Sequence, residues 1–327
     1  MKRLSLIVAI LMFIVLMTTA CGSPAAKELI PVKLMLDWVP NTNHTGIFVA
    51  QANGYFKEAG LAVEIIQPGE VYPEAAVASG AADFGISFQE SVTLARAEKV
   101  PIVSIAAVLQ HNTSGFASAA DLNVTSPAGF EGLRYGSFGS PFEDPILKVL
   151  MESAGGDFSK LKIVNIGDTE PLALIAEKQI DMAWIFYGWE GIEAQQQGIK
   201  LNVVMMKDYF DTIPDYYTPV VITNENTITN KPEVVKAFLK ALSRGYDFAI
   251  NNPDEAADIL ITAVPELDTK LVKASQEWLS PYYQAEAPRW GEQKESVWQN
   301  YSDWMVKYGI LSTPISASDA FTNKFLP

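Results

Sequence analysis

The sequence predicts an α/β fold of two lobes, and three observations carry that expectation. Short apolar runs alternate with helical patterns from Pro31 to Leu109, and the rhythm repeats with unrelated residues from Leu133 to Phe186. From Pro232 onward the pattern turns mostly helical. The segments that follow the apolar runs are rich in Asn, His, Gln and aromatic residues, which suits a binding rim at the carboxyl ends of strands.

Taken in order, Val32 to Trp38 reads as a buried strand, and Gly46 to Phe56 as a helix ending near Asn53-Gly54, a C-cap signal. Leu61 to Ile66 is a second strand, Glu74 to Ser79 a short helix closed by Gly80, and Ala82 to Ser87 a third strand. Val92 to Lys99 is helical and Ile102 to Leu109 a fourth strand, so the sheet is expected to be mostly parallel. In the second run, Leu133 to Gly136, Leu161 to Ile166 and Asp181 to Phe186 are strands, separated by helices at Pro145 to Ser153 and Pro171 to Lys178. Helices then follow at Glu233 to Ala249, Pro253 to Ala263, Thr269 to Leu279 and Glu295 to Tyr308, with Pro232 and Pro253 at first helical positions.

With 327 residues, 49% hydrophobic and 19% charged, the chain can bury more than one domain's core. Lys and Arg number 24 against 38 Asp and Glu, a net charge of −14 that repels phosphate backbones and argues against nucleic acid as a partner. One Cys and two His are too few for a Cys/His zinc site, a CxxC pair or a disulfide within the chain. No metal and no cofactor is expected.

The N-terminus reads as an address. Lys2 and Arg3 precede an uncharged apolar run from Ile7 to Met17, shorter than the ~20 residues a membrane-spanning helix needs. Residues 1–20 are read as a lipoprotein signal peptide, with Cys21, the only cysteine, as the new and lipidated N-terminus; Thr18 stands where Leu is usual. Cleavage removes Lys2 and Arg3 and no acid, taking the net charge from −14 to −16. Residues 21–30 are then a tether.

The candidate binding residues stand after strands. The first strand is followed by Asp37, Trp38, Asn41 and His44; a helix cap at Asn43 or Thr45 accounts for one residue of that series only. Ser87 and Gln89 follow the third strand, and His111 and Asn112 the fourth. In the second lobe Ser140, in the turn Gly136 to Pro141, could offer backbone N–H groups to an anion, although no P-loop signature follows. Tyr187, Trp189 and Glu190 set two aromatics and a carboxylate beside Gly188. No GxSxG elbow occurs and neither His has a spacing that implies a nucleophile, so no catalytic residue is expected. The late aromatics Trp278, Tyr282, Tyr283, Trp290, Trp298, Tyr301 and Trp304 read mostly as core.

Asp37-Trp38-x-Pro40-Asn41-x-Asn43-His44-Thr45-Gly46, followed by Gly54-Tyr55-Phe56 and Ala59-Gly60-Leu61, resembles the solute-binding proteins of ABC importers in the thiamine-pyrimidine-precursor branch. That branch comprises formylaminopyrimidine and hydroxymethylpyrimidine binders and is related to nitrate, sulfonate and taurine binders and to the fungal pyrimidine-precursor synthase. Similarity continues through His111 to Gly115, Trp184 to Glu190, Asp215 to Pro219 and Gly245-Tyr246. The resemblance implies a type II two-lobed periplasmic-binding-protein fold with the ligand cleft between lobes: 31–115 and 224–327 as lobe 1, 116–223 as lobe 2. It implies an extracytoplasmic, lipid-anchored monomer that delivers its ligand to ABC permease subunits, and no enzyme. The enzyme branch carries a pyridoxal-phosphate lysine and a cysteine-rich run, whereas Ser87-Phe88-Gln89 and Asp211 to Pro219 hold neither Lys nor Cys.

Anionic ligands call for Arg or Lys, which these loops lack. A neutral heteroaromatic fits them better, with Trp38 or Tyr187 stacking on the ring, Glu190 or Asp37 accepting from an amino group, and Asn41, Asn112 or Gln89 pairing with ring nitrogens. An aminopyrimidine precursor of thiamine is the leading ligand and riboflavin the runner-up. A sulfonate or nitrate binder and, from a different class, a synthase-like enzyme follow behind them.

Overall fold

The computed structural model describes residues 28–69, 71–167 and 169–327. The expected signal peptide, Cys21 and most of the expected tether therefore lie outside the described residues. Ile30, placed at the end of that tether, is already strand, because its N–H donates to the Gly60 carbonyl at 2.9 Å.

In chain order the strands are β1 (Ile30–Met35), β2 (Leu61–Ile66), β3 (Phe84–Ser87), β4 (Ile102–Ala107), β5 (Ser114–Ala119), β6 (Arg134–Ser137), β7 (Lys162–Asn165), β8 (Met182–Phe186), β9 (Leu201–Met205) and β10 (Val220–Asn224). They form two five-stranded sheets, ordered β2-β1-β3-β10-β4 and β7-β6-β8-β5-β9. β3, β4 and β10 are buried along their whole length, which is why β3 and β4 read as continuous apolar runs.

Both sheets are mixed, where a mostly parallel sheet was expected. β10 is antiparallel to β3 and β4, and β5 to β8 and β9. Topology requires this. The chain leaves each lobe at the cleft end of a strand, enters the other lobe at its cleft end, and must run away from the cleft, against the neighbouring strands. The same strands correct the expected lobe boundaries: Ser114 already belongs to the second sheet, and the return to the first begins at Val220, ahead of residue 224.

The C-terminal segment is not confined to lobe 1. In the helix Glu295–Lys307, Trp298 packs near Tyr217 and against Phe321, while Tyr301, Trp304 and Met305 join the second-lobe core with Phe116, Tyr135 and Leu150. The Trp304 indole N–H donates to the Thr212 carbonyl at 2.9 Å. Trp290, Trp298, Tyr283 and Tyr301 are fully buried, as expected of core aromatics.

The helix expected over 46–56 is two, Thr45–Ala52 and Tyr55–Glu58, separated by Gly54 at φ +71°. The first crosses the long helix Pro232–Asn251 so closely that a Cβ on Gly245 would lie 2.0 Å from the Gly46 carbonyl oxygen. That crossing fixes the loop after β1 from behind. Among the described residues no helix is long and apolar enough to cross a membrane.

Candidate functional site

The loop after β1 is held by its own side chains. The Asn41 carboxamide accepts the Asn43 N–H at 2.9 Å and donates to the Val39 carbonyl at 3.1 Å, so its donor and acceptor both serve the loop. The Asn41 N–H donates to His44 Nδ1 at 3.2 Å. Because Nδ1 accepts, the proton sits on Nε2, which donates to Asp37 Oδ1 at 2.6 Å. His44 is fully buried and orients Asp37 from below; it is not itself placed to meet a ligand, and Asn41 caps the turn. Trp38 keeps a partly exposed indole.

Ser87 and Gln89, at the end of β3, differ in what they do. Ser87 Oγ donates to the Glu74 carboxylate. Gln89 spends its side chain on packing: Oε1 accepts the Tyr217 N–H at 2.8 Å and Nε2 donates to the Val297 carbonyl at 3.3 Å. It ties β3 to the return crossing and the C-terminal helix and is unavailable to a ligand. The next residue, Glu90, is 4% exposed, and its Oε2 has no hydrogen-bond partner. Burial, reinforced by nearby Glu74, pushes its carboxyl up to about 8. Asn112 Nδ2 and the hydroxyls of Tyr216 and Tyr301 also lack partners, and the Glu90 charge acts on both tyrosines. Asn112 accepts from the Ser114 N–H and hydroxyl through Oδ1, leaving its amide N–H groups as the free end.

In the second lobe the Glu190 carboxylate accepts the Phe186 N–H at 2.9 Å, and burial, then Glu170 and Glu193, pushes it up to about 8. Phe186 lies nearly parallel to Phe88 of the first lobe, with ring centroids 6.3 Å apart and 16° between planes. Tyr187 packs against Trp278 at 5.5 Å, its hydroxyl accepting from Gln195 at 2.7 Å, and Trp189 inserts among Ala257, Leu260 and Val272. These two aromatics join lobe to lobe, where cleft-lining had been expected. The lobes also meet through Thr42, which hydrogen-bonds Ser275 at 2.5 Å, while Ser275 donates to the Gly188 carbonyl.

Ser140 belongs to none of this. Its N–H donates to Glu143 Oε1 at 2.7 Å, the Phe138 N–H to Oε2 at 3.2 Å, and the Tyr135 hydroxyl to Oε2 at 2.6 Å. The turn does bind an anion, but that anion is the chain's own buried Glu143.

His111 stands at the crossing between lobes. Its Nδ1 is 2.5 Å from Asp215 and its Nε2 2.8 Å from Glu286, so both nitrogens donate and the ring is an imidazolium. The Asp215 hydrogen bond, against burial and with help from Glu286, pushes it up to about 9. Lys294 and His111 together hold Glu286 down at about 2. This is a strut of the hinge, outside the cleft proper.

Asp37, Glu74, Glu90 and Asn112 thus gather in the first lobe with Tyr216 from the return crossing, while Glu190 and Phe186 come from the second. Sequence reading gave no site role to Glu74 or Tyr216, and noted Phe88, Glu90 and Phe186 at strand ends without assigning them one. Among the described residues none of Glu74, Glu90 and Glu190 is ion-paired to Lys or Arg, and Asp37 has only the neutral His44. No group of three or more His, Cys, Asp or Glu among the described residues is placed to hold a metal ion.

Residues 41–256 match the NMT1/THI5-like family. The chain belongs to that family. It is 32% identical to the formylaminopyrimidine-binding protein of Halalkalibacterium halodurans over 98% of each chain, and 26% identical to the riboflavin-binding protein RibY of Chloroflexus aurantiacus over 96% of this chain and 95% of that one. The periplasmic nitrate-binding protein NrtA of Synechocystis superposes with a TM-score of 0.72 at 12% identity, covering 92% of this chain and 88% of that one. The fold is therefore the two-lobed periplasmic-binding fold.

Proposed function

We propose that this protein is the extracytoplasmic solute-binding lipoprotein of an ABC importer, that it binds an aminopyrimidine precursor of thiamine, and that it hands the ligand unchanged to permease subunits. The observation that carries the reading is that two buried carboxyl groups, Glu90 in one lobe and Glu190 in the other, are ion-paired to no Lys or Arg among the described residues. Such groups offer hydrogen bonds to the N–H groups and ring nitrogens of a neutral heteroaromatic and no cation to pair with nitrate or a sulfonate, although the fold is shared with their binders. The name carried by the relative at 32% identity points the same way. Trp38 supplies a stacking face. The monomeric chain is held at the membrane by a lipid on Cys21, and no catalysis is assigned.

Calorimetry with 4-amino-5-hydroxymethyl-2-methylpyrimidine, riboflavin, nitrate and an alkanesulfonate tests the ligand. Binding of the aminopyrimidine alone, recovered unaltered by chromatography, is the expected result. Preference for riboflavin or an anion overturns the ligand, and a converted product overturns the assignment as a binder.

A further inference from the structure

Glu90, Asn112 and Tyr216 share a property that packing does not explain. Each is at most 4% exposed, and each holds a polar atom without a well-formed hydrogen bond, a carboxyl oxygen, an amide nitrogen and a phenol oxygen, with the Tyr216 hydroxyl as a weakly aligned neighbour of both Glu90 and Asn112. Buried polar atoms are normally paired, and leaving one unpaired costs about 1–3 kcal/mol. Three such atoms close together, on the first helical turn after β3, the lobe crossing and the return crossing, form a site waiting for matching groups.

We propose that Glu90 acts as a neutral carboxylic acid that pairs with the amidine edge of the aminopyrimidine, donating its O–H to a ring nitrogen and accepting from the exocyclic amino group, while Asn112 and Tyr216 hydrogen-bond the rest of that edge. The inference rests on the aminopyrimidine reading above. A carboxylic acid and this edge are complementary in both hydrogen bonds, whereas an ionised carboxylate would face the ring nitrogen's lone pair with another lone pair. The groups facing Glu90 are Glu74 from the helix Pro73–Ser79, Tyr216 from the return crossing and Tyr301 from the helix Glu295–Lys307; none carries positive charge, and burial outweighs the backbone N–H of Glu90 and the Tyr216 hydroxyl, which favour the ionised form. Burial keeps the carboxyl protonated up to about pH 8.

The test is calorimetry of wild type, E90Q and E90L with 4-amino-5-hydroxymethyl-2-methylpyrimidine, from about pH 7 to about pH 9.5. Glutamine keeps one donor and one acceptor and cannot titrate, so E90Q is expected to bind within about threefold of wild type at neutral pH, and E90L more than about tenfold weaker. As pH rises through about 8, wild-type affinity is expected to fall more steeply than that of E90Q, by up to tenfold per pH unit, one proton's worth. Because only wild type and E90Q are compared, titration of Glu190 cancels. Equal pH profiles for the two overturn the proposal, as does a loss in E90Q as large as in E90L, or undiminished binding by E90L. Should E90L fail to fold, the paired pH profiles still decide. A wild type that binds no aminopyrimidine defeats the functional reading and takes this inference with it; binding with the wrong variant pattern defeats this inference alone.

Discussion

The two lobes repeat one local plan and finish it differently. In each, the third strand of the sheet order ends at the cleft, a phenylalanine follows or closes it, and a glutamate comes within the next four residues: β3, Phe88 and Glu90 in one lobe, β8, Phe186 and Glu190 in the other. Both carboxyls are pushed up to about 8 by burial. Yet Glu190 accepts the Phe186 N–H at 2.9 Å, and Glu90 Oε2 has no hydrogen bond of that quality, only weaker help from its own backbone N–H and the Tyr216 hydroxyl. A carboxyl that already accepts one N–H is prepared to accept another, while an unpartnered one is cheaper to keep as an acid. Equivalent positions in a repeated architecture can thus supply opposite hydrogen-bonding characters to one ligand.

The comparison can be broken first at the scaffold. Glu143 holds the second-lobe turn by accepting from Tyr135, Phe138 and Ser140. Glu143→Ala should leave those three donors without their acceptor and lower stability by about 3 kcal/mol in urea unfolding, with ligand affinity per folded molecule little changed. Trp38→Ala, on the first-lobe rim, is expected to weaken aminopyrimidine binding by about 1–3 kcal/mol while leaving the melting temperature in place; an unchanged calorimetric affinity would move the stacking platform elsewhere. Glu190→Gln sharpens the contrast directly. Measured above about pH 8, where Glu190 is ionised, replacing its accepting carboxylate by a group that also donates should cost the aminopyrimidine at least ~1.4 kcal/mol, a factor of about ten, and cost a carbonyl-bearing analogue less. Similar losses on both ligands would mean that Glu190 does not read the amino group.

The smallest effect belongs to the hinge strut. His111 has its folded pKa raised from 6.5 to about 9, so its contribution is fully present below pH 6.5 and lost as pH rises through about 9. Glu286 is lowered from 4.5 to about 2, so its contribution is present above pH 4.5 and lost as pH falls through about 2. The strut is strongest between those limits, pH 4.5 to 6.5. Both side chains are more than a third exposed, so solvent screening keeps the effect below about 1 kcal/mol. Thermal melts of His111→Gln against wild type should diverge at pH 6 and converge by about pH 10.

Much of this fold was legible because strands covered on both faces read as apolar runs whatever their direction, as β3 and β4 do. β5 was not, since Ser114-Gly115-Phe116-Ala117-Ser118-Ala119 is small and mixed and owes its burial to β8 and β9. The site was legible by location more than by role. Polar residues at strand ends marked the cleft, but Gln89 and Asn41 turn out to be consumed by neighbouring backbone, which no local pattern reveals. Glu90 is visible at the end of the third strand but carries no assigned role in the sequence, because an acid in a first helical turn is ordinary. What sets it apart is burial beneath Tyr216 and Tyr301, brought from distant parts of the chain.

The sheet order also dictates a timetable for assembly. All five strands of the second sheet are consecutive, from Ser114 to Met205, so that lobe's pairing is available as soon as one continuous stretch has emerged. The first sheet cannot finish so early. β4 is joined to its sheet only through β10, and until Val220–Asn224 arrives it has an unfilled slot at one side and β3 an unpaired edge. Long-range pairing of that kind is slow and leaves strand edges exposed in the meantime. The sheet begun first is therefore the sheet completed last, and a chaperone that shields newly made chain has unpaired strand edges to protect in the residues before Ala107.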